Sequence, residues 1–160
     1  MSTNEIVRDA VYNATVLLDE QKWNDWLACC DDGFEYSITS WSPEINYDMT
    51  YLSANKADLQ HLVDLLPKHN TDHSPLHRHT TVYSVKPSED GKTATALSSV
   101  LIYQNMYDGT NSHIDAGESR LFLIGRYFDT LKIENGKGIF LKRELKLDNR
   151  RLDKGSHWPL

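Results

Sequence analysis

The chain is poor in cysteine and proline, lacks a surplus of basic charge and contains no long apolar run. It carries 2 Cys and 5 Pro in 160 residues. The two cysteines, Cys29 and Cys30, are adjacent, and neighbours in one regular element cannot reach ordinary disulfide geometry. Without a disulfide framework the sequence reads as a cytosolic protein. Seventeen Lys and Arg against 23 Asp and Glu give a net charge of −6, which argues against a nucleic-acid backbone binder, whose affinity needs a basic face. No apolar stretch approaches the roughly 20 residues of a membrane span, and Met1-Ser2-Thr3-Asn4 leads into no signal-peptide core. Apolar residues at 39% and charged residues at 25% lie within the globular range. The length predicts one domain with a genuine core, spanning 1–160.

Hydrophobic spacing then orders the elements. Ile6, Ala10, Ala14 and Leu17, widened by Val7, Val11 and Leu18, predict a helix over 5–20. Ser2 and Glu5 fit a capping box at its start. A second helix begins at Gln21 or Lys22 and runs to Cys29, with Trp23, Trp26 and Leu27 on one side as core anchors. Gly33 is the expected left-handed stop. Alternation over 34–39 predicts a strand, and 40–52 reads as a loop holding a short strand. Ser53 is expected to cap a third helix bearing Leu59, Leu62, Val63 and Leu66, ended by Pro67.

Residues 68–75 read as a loop, and strands follow. These are 81–85, then 93–107 with Ala94, Ala96, Ser98, Val100, Ile102 and Gln104 on one side, then 120–133 and 138–147. Turns are expected at Glu89-Asp90-Gly91, Asp108-Gly109 and, most strongly, Asn135-Gly136. Three helices followed by mainly antiparallel strands give an α+β fold, a curved sheet folded over its helices.

Four blocks carry a resemblance. Leu17-Leu18-Asp19-Glu20-Gln21-Lys22-Trp23-Asn24-Asp25-Trp26-Leu27 resembles the opening of the β (small) subunits of Rieske non-haem iron, aromatic-ring-hydroxylating dioxygenases. The helix within 51–66, the pair Arg78-His79, and Gly125-Arg126-Tyr127-Phe128-Asp129-Thr130-Leu131 agree with that family in order and spacing. Arg143 to Leu147-Asp148 and the end His157-Trp158-Pro159-Leu160 fit its last strand and tail. The loop over 40–50 lacks a clear family pattern, and 69–77 is unusually rich in His.

The resemblance implies a cone-shaped, nuclear-transport-factor-2-like (cystatin-like) fold and a non-catalytic role. Its partner would be an oxygenase α subunit carrying a Rieske [2Fe–2S] cluster and a mononuclear iron. The assembly would be an α3β3 hexamer for aromatic compound degradation, built on a trimer of this chain. Arg78, His79, Arg126, Arg143 and Trp158 are the expected subunit-interface residues. A Rieske site needs paired Cys and His, which Cys29-Cys30 does not supply.

Other readings compete. The run containing His69, Asp72, His73, His77 and His79 could ligate a transition metal, with His77 and His79 on one side of an extended segment. Its loop composition favours a solvated or interface loop instead. A free-standing isomerase, dehydratase or cyclase of the same cone would use Asp32 or His79 as base and Tyr36, Tyr51, Tyr83 or Tyr103 as donors, acting on a small carbonyl compound. The strip over 145–154 mixes charges and reads as a solvated, salt-bridging strand end. Trp158-Pro159-Leu160 is expected to dock on the sheet or a neighbour.

Overall fold

The computed structural model describes residues 1–69, 73–106, 112–152 and 158–160. Helices α1 (Thr3–Asp19) and α2 (Trp23–Ala28) lead into β1 (Cys30–Ser42), β2 (Tyr47–Asn55) and α3 (Lys56–His69). There follow β3 (Leu76–Pro87), β4 (Thr93–Met106), a short α4 (Ser112–Asp115), β5 (Glu118–Glu134) and β6 (Lys137–Leu147). The six strands form one curved, open sheet in the order β2-β1-β6-β5-β4-β3. Only β1 and β6 pair in parallel; the other neighbours are antiparallel. Helix α1 lies against β3 and β6, and α3 against β1 and β2, so the helices cover one face of the sheet. The α+β cone expected from the sequence is the one observed.

Local chemistry explains most boundaries. The Ser2 hydroxyl accepts from the Glu5 amide at 3.3 Å, and the Glu5 carboxylate accepts from the Ser2 amide at 2.7 Å, so the capping box forms as predicted. The buried stripe of α1 is Ile6, Val7, Val11, Ala14, Thr15 and Leu18, rotated by about one residue from the predicted stripe, which leaves Ala10 and Leu17 half-buried. Asn135 (φ 51°) and Gly136 (φ 73°) take the paired positive angles of a two-residue hairpin between β5 and β6. Along β4, Ala94, Ala96, Ser98, Val100 and Ile102 all face the core.

Five expectations fail for physical reasons. Gly33 ends no helix: α2 stops at Ala28, and Gly33 lies inside β1, its amide donating to Asp31 at 3.0 Å. Residues 40–52 form most of a strand hairpin rather than a loop. Edge strand β2 is exposed on both faces along most of its length, and its alternating Tyr47, Met49 and Tyr51 lie in solvent rather than in the core. Helix α3 begins at Lys56, preceded not by the predicted Ser53 cap but by Asn55, which exchanges side-chain-to-backbone bonds with Asp58 at 2.9 and 3.0 Å. Pro67 lies within α3, which continues to His69; the amide it lacks would have bonded the Val63 carbonyl, so the loss is confined to one bond of the last turn. Strand β3 starts at Leu76, so His77, Arg78 and His79 are strand residues. The Asp108-Gly109 turn falls outside the described residues.

The core gathers Trp26, Phe34 and Tyr36 in edge-to-face contacts, with the Trp26 ring centroid 6.2 Å from each of the other two. Within it Arg143 donates from Nε and Nη2 to the two carboxylate oxygens of Asp129 at 2.7 and 2.8 Å. The guanidinium lies 3.9 Å above the Tyr127 ring. Residues 129 and 143 face each other across β5 and β6, and Arg143 pairs in register with Tyr36 across β1 and β6. The same two strands meet closely at Gly125, where a Cβ would stand 2.6 Å from the Lys146 carbonyl oxygen. Asp129→Ala should destabilise the fold by about 3–5 kcal/mol, since it strands a buried cation. The double change Asp129→Leu with Arg143→Met should recover most of that loss; urea unfolding midpoints check both.

Candidate functional site

The residues proposed for an enzyme do not converge. Asp32 is fully exposed on β1, 3.6 Å from the Lys56 ammonium. His79 is exposed on β3, its ring stacked 4.9 Å from His77 and edge-on to Tyr103 at 5.8 Å. It pairs with Leu101, which places it on the face of the sheet away from the helices. Tyr51 donates its hydroxyl to the Arg150 carbonyl at 3.1 Å, and Tyr83 is exposed. Tyr36 alone of the set lies inside the cone, 1% exposed. His79 and Tyr103 therefore meet on the outer face of the sheet while Tyr36 lies on the inner one, so no proposed base shares the cone interior with a donor. Among the described residues no group of three or more His, Cys, Asp or Glu could hold a metal ion. Asp72 lies outside the described residues, as does the His157 of the expected tail.

Arg78 and Tyr36 are instead bonded to the chain itself, while the buried hydroxyls of Ser98 and Tyr127 have no hydrogen-bond partner among the described residues. Arg78 is 3% exposed. Its Nη1 donates to Asp19 at 2.8 Å, its amide also donates to that carboxylate, and its Nη2 donates to the Pro159 carbonyl at 2.7 Å. The Tyr36 hydroxyl donates to the Leu160 carbonyl and accepts from the Leu160 amide, both at 3.0 Å. Burial pushes the Tyr36 hydroxyl pKa up, so it stays a donor throughout the neutral range. Trp158 meets Trp23 edge-on at 5.6 Å, and the Leu160 side chain is completely buried in the core. The segment 158–160 is thus a strap across the mouth of the cone. Its docking on this chain agrees with the expectation from its apolar composition.

Two expected interface residues need correction. The side chains of Arg78 and Arg143 point inward and are each about 1% exposed, so neither can anchor a neighbouring subunit. Burial alone would lower the Arg143 pKa, but the Asp129 carboxylate outweighs it and holds the guanidinium charged. Arg126 is exposed, 3.8 Å from Asp148, and Trp158 is half-buried.

Sequence reasoning missed the focus of the outer sheet face. Phe128, 41% exposed, separates two shallow grooves there. One, of about 380 Å³, is bordered by Lys86, Leu97 and Lys142; the other, of about 360 Å³, by Trp41, Arg126 and Lys146. Alternation along β5 and the pairing of Phe128 with Leu97 and Glu144 put this ring opposite the core. The signal available in the sequence was the aromatic Phe128 at an outward position between Tyr127 and Asp129.

The cysteines supply no Rieske ligands either. Cys30 is buried, its thiol directed at the Trp26 carbonyl at 3.5 Å, and Cys29 directs its own at the Asp25 carbonyl at 3.4 Å. Neither joins a His, so the residues present do not fit a [2Fe–2S] cluster.

The model for the ring hydroxylating beta subunit matches residues 13–154. The chain belongs to this family. It is 62% identical over 156 residues to the methanesulfonate monooxygenase hydroxylase subunit beta of Methylosulfonomonas methylovora, covering 98% of this chain and 86% of that protein. It is 28% identical to the 2-aminobenzenesulfonate 2,3-dioxygenase subunit beta of an Alcaligenes species, over 96% of this chain and 97% of the relative. A crystal structure described as the beta subunit of an aromatic-ring-hydroxylating dioxygenase from Novosphingobium aromaticivorans superposes with a TM-score of 0.79 at 19% identity. It covers 98% of this chain and 96% of that one. That likeness shows the fold, the nuclear-transport-factor-2-like cone. The function is accordingly that of a beta subunit of a multicomponent oxygenase. Both curated relatives are named for sulfonates, and of the two only 2-aminobenzenesulfonate is aromatic.

Burial raises the Cys30 thiol pKa from 9.0 to about 12. The folded chain therefore keeps this proton while the unfolded chain releases it, and the thiol's contribution to stability is lost as pH rises from 9.0 towards about 12. Iodoacetamide at pH near 8 should alkylate the half-buried Cys29 and spare Cys30, read by peptide mass. Asp32→Asn should change unfolding stability by less than about 0.5 kcal/mol. Tyr36→Phe should cost about 1–3 kcal/mol, because it strands the Leu160 amide and carbonyl.

Proposed function

We propose that the chain is the non-catalytic small subunit of a two-component sulfonate oxygenase, acting as one domain within an α3β3 complex in the cytoplasm. The α subunit would carry the Rieske cluster and the mononuclear iron. This chain would hold the α subunits in position without contacting substrate. The observation that carries the reading is the contrast between the two sides of the sheet. Inside, Arg143, Arg78 and Tyr36 are committed to Asp129, Asp19 and the strap, and no catalytic pair forms among the described residues. Outside, no described helix covers the face bearing Trp41 and Phe128, which are 45% and 41% exposed.

That outer face is the surface we assign to contact between copies. Aromatic residues set among cations favour desolvated interfaces, and the Arg126 side chain beside Phe128 supplies a charged anchor with room to reach a partner. His79 and Trp158 are further contacts, at the β3 edge and the cone mouth respectively. The net charge of −6 supports a protein partner rather than a nucleic acid. A sulfonate substrate is supported by the names of both curated relatives.

The test is co-expression with an oxygenase α subunit that carries the Rieske ligands. The small chain alone should turn over neither methanesulfonate nor an aromatic sulfonate, and should bring no iron with it. The pair, supplied with its electron-transfer partner, should consume oxygen with one of these substrates. Phe128→Asp should lower the native mass of the isolated chain and of the complex while leaving circular dichroism unchanged. Turnover by the small chain alone, or an unchanged mass, would falsify the corresponding part of the reading.

A further inference from the structure

We propose that His77 and His79 form a two-imidazole binding site for a divalent transition-metal ion (zinc, nickel or copper) on the outer face of β3. From the sequence this run reads as a loop, which would hold no ligand set in place. In the structure β3 starts at Leu76 and carries both residues, so the ligands stand on a strand. Side chains two positions apart on a strand project from one face, with their Cα atoms about 6.6 Å apart. Both rings are exposed and lie stacked, with centroids 4.9 Å apart. Two imidazoles on one tetrahedral ion, each with nitrogen about 2.0–2.1 Å from the metal, have ring centroids about 5 Å apart. The separation observed already meets that requirement. Only rotation about the side-chain bonds is needed to aim a nitrogen of each ring at one point.

The backbone beneath the pair is fixed. Arg78, between the two histidines, turns to the opposite face, where its buried guanidinium bonds the Asp19 carboxylate at 2.8 Å. Strands β3 and β4 pair without a register shift from Leu76 and Gln104 as far as Val82 and Ser98. Tyr103 pairs with His77 in that register, and its ring stands edge-on to His79 at 5.8 Å, so it borders the pair on the β4 side. Ligands on a strand held in this way keep their spacing better than ligands on a loop.

The donor type selects the ion. Imidazole nitrogen suits zinc, nickel and copper, whereas magnesium and calcium take oxygen ligands. Among the described residues no third His, Cys, Asp or Glu joins the pair, so water fills the remaining positions, and the ion stays exchangeable. The net charge of −6 favours the approach of a cation. Two nitrogens on one rigid strand act as a chelate. Once the first has bound, the second is presented at high effective concentration, so losing either weakens binding on the order of tenfold. Nothing in this arrangement requires the oxygenase partner.

The experiment is a titration of zinc chloride into the full chain, free of any polyhistidine tag, read by the nitrogen-15 resonances of its imidazoles. It is repeated with Phe128→Asp, which frees the outer face from contacts between copies. In at least one of the two chains the His77 and His79 resonances should shift together and saturate at one ion per chain. In that chain, His77→Ala and His79→Ala should each raise the half-saturating zinc concentration by more than about threefold and on the order of tenfold. His61→Ala, on α3, should leave it unchanged. The substituted positions are exposed, so the amide spectrum away from β3 should report an intact fold. Magnesium chloride at the same concentrations should move neither resonance. The proposal is overturned if neither histidine responds to zinc in either chain, if the two respond at different zinc concentrations, or if magnesium acts as zinc does. It is equally overturned if either single substitution shifts half-saturation by less than about threefold.

Discussion

The buried pair of Asp129 and Arg143 is the constraint around which the cone is organised. A guanidinium that is 1% exposed is tolerable only when its charge is met, and Asp129 meets it with two short bonds from the neighbouring strand. That requirement fixes the register of β5 on β6, since a slip of one residue would send one member of the pair to the opposite face. It also places Tyr36 beside the cation through the parallel pairing of β1 with β6. Tyr36 in turn holds the strap. The interior is thus a chain of commitments running from Asp129 to Leu160, and each link removes a group that an enzyme would need free.

A second pair repeats the logic at the cone mouth. Asp19, at the end of α1, receives both the amide and a guanidinium nitrogen of Arg78 from β3. Helix and edge strand are tied at this point, and the leftover guanidinium nitrogen secures Pro159. Four of the stretches that match the family contain these partners, with Asp19, Arg78, Asp129 and Arg143 each in a different one. Short motifs far apart in the chain match because each is half of a buried contact.

This accounts for what could and could not be read without coordinates. Elements whose cause is local were legible: the Ser2–Glu5 box, the Asn135-Gly136 hairpin, and the alternation of Ala94 to Ile102 along β4. The hairpin of β1 and β2 was missed although Tyr47, Met49 and Tyr51 alternate with Asp48 and Thr50, because on this edge strand the apolar members of the alternation are the exposed ones and the segment lacks the buried face that a core strand shows. Arg78 and Arg143 were recognised as important but assigned to the wrong side of the sheet. Charge alone suggests solvent or a neighbour, and only the partner across the sheet or from the helix layer shows that the charge is met inside. Phe128 shows the converse, an aromatic residue facing outward beside a buried Tyr127.

The strand order has a consequence for how the protein is made. β1 lies in the interior of the sheet, yet its neighbour on the side away from β2 is β6, the last strand synthesised. Until β6 leaves the ribosome, β1 has an unpaired edge, and Tyr36 and Cys30 lack the strand that completes their cover. Pairing between such distant segments carries a large loop-closure cost and slows folding. The nascent chain must therefore carry an unsatisfied strand edge from the emergence of β1 until β6 follows. A polypeptide arrested before β6 would be left with that edge open, so the cell receives either a finished cone or no usable subunit.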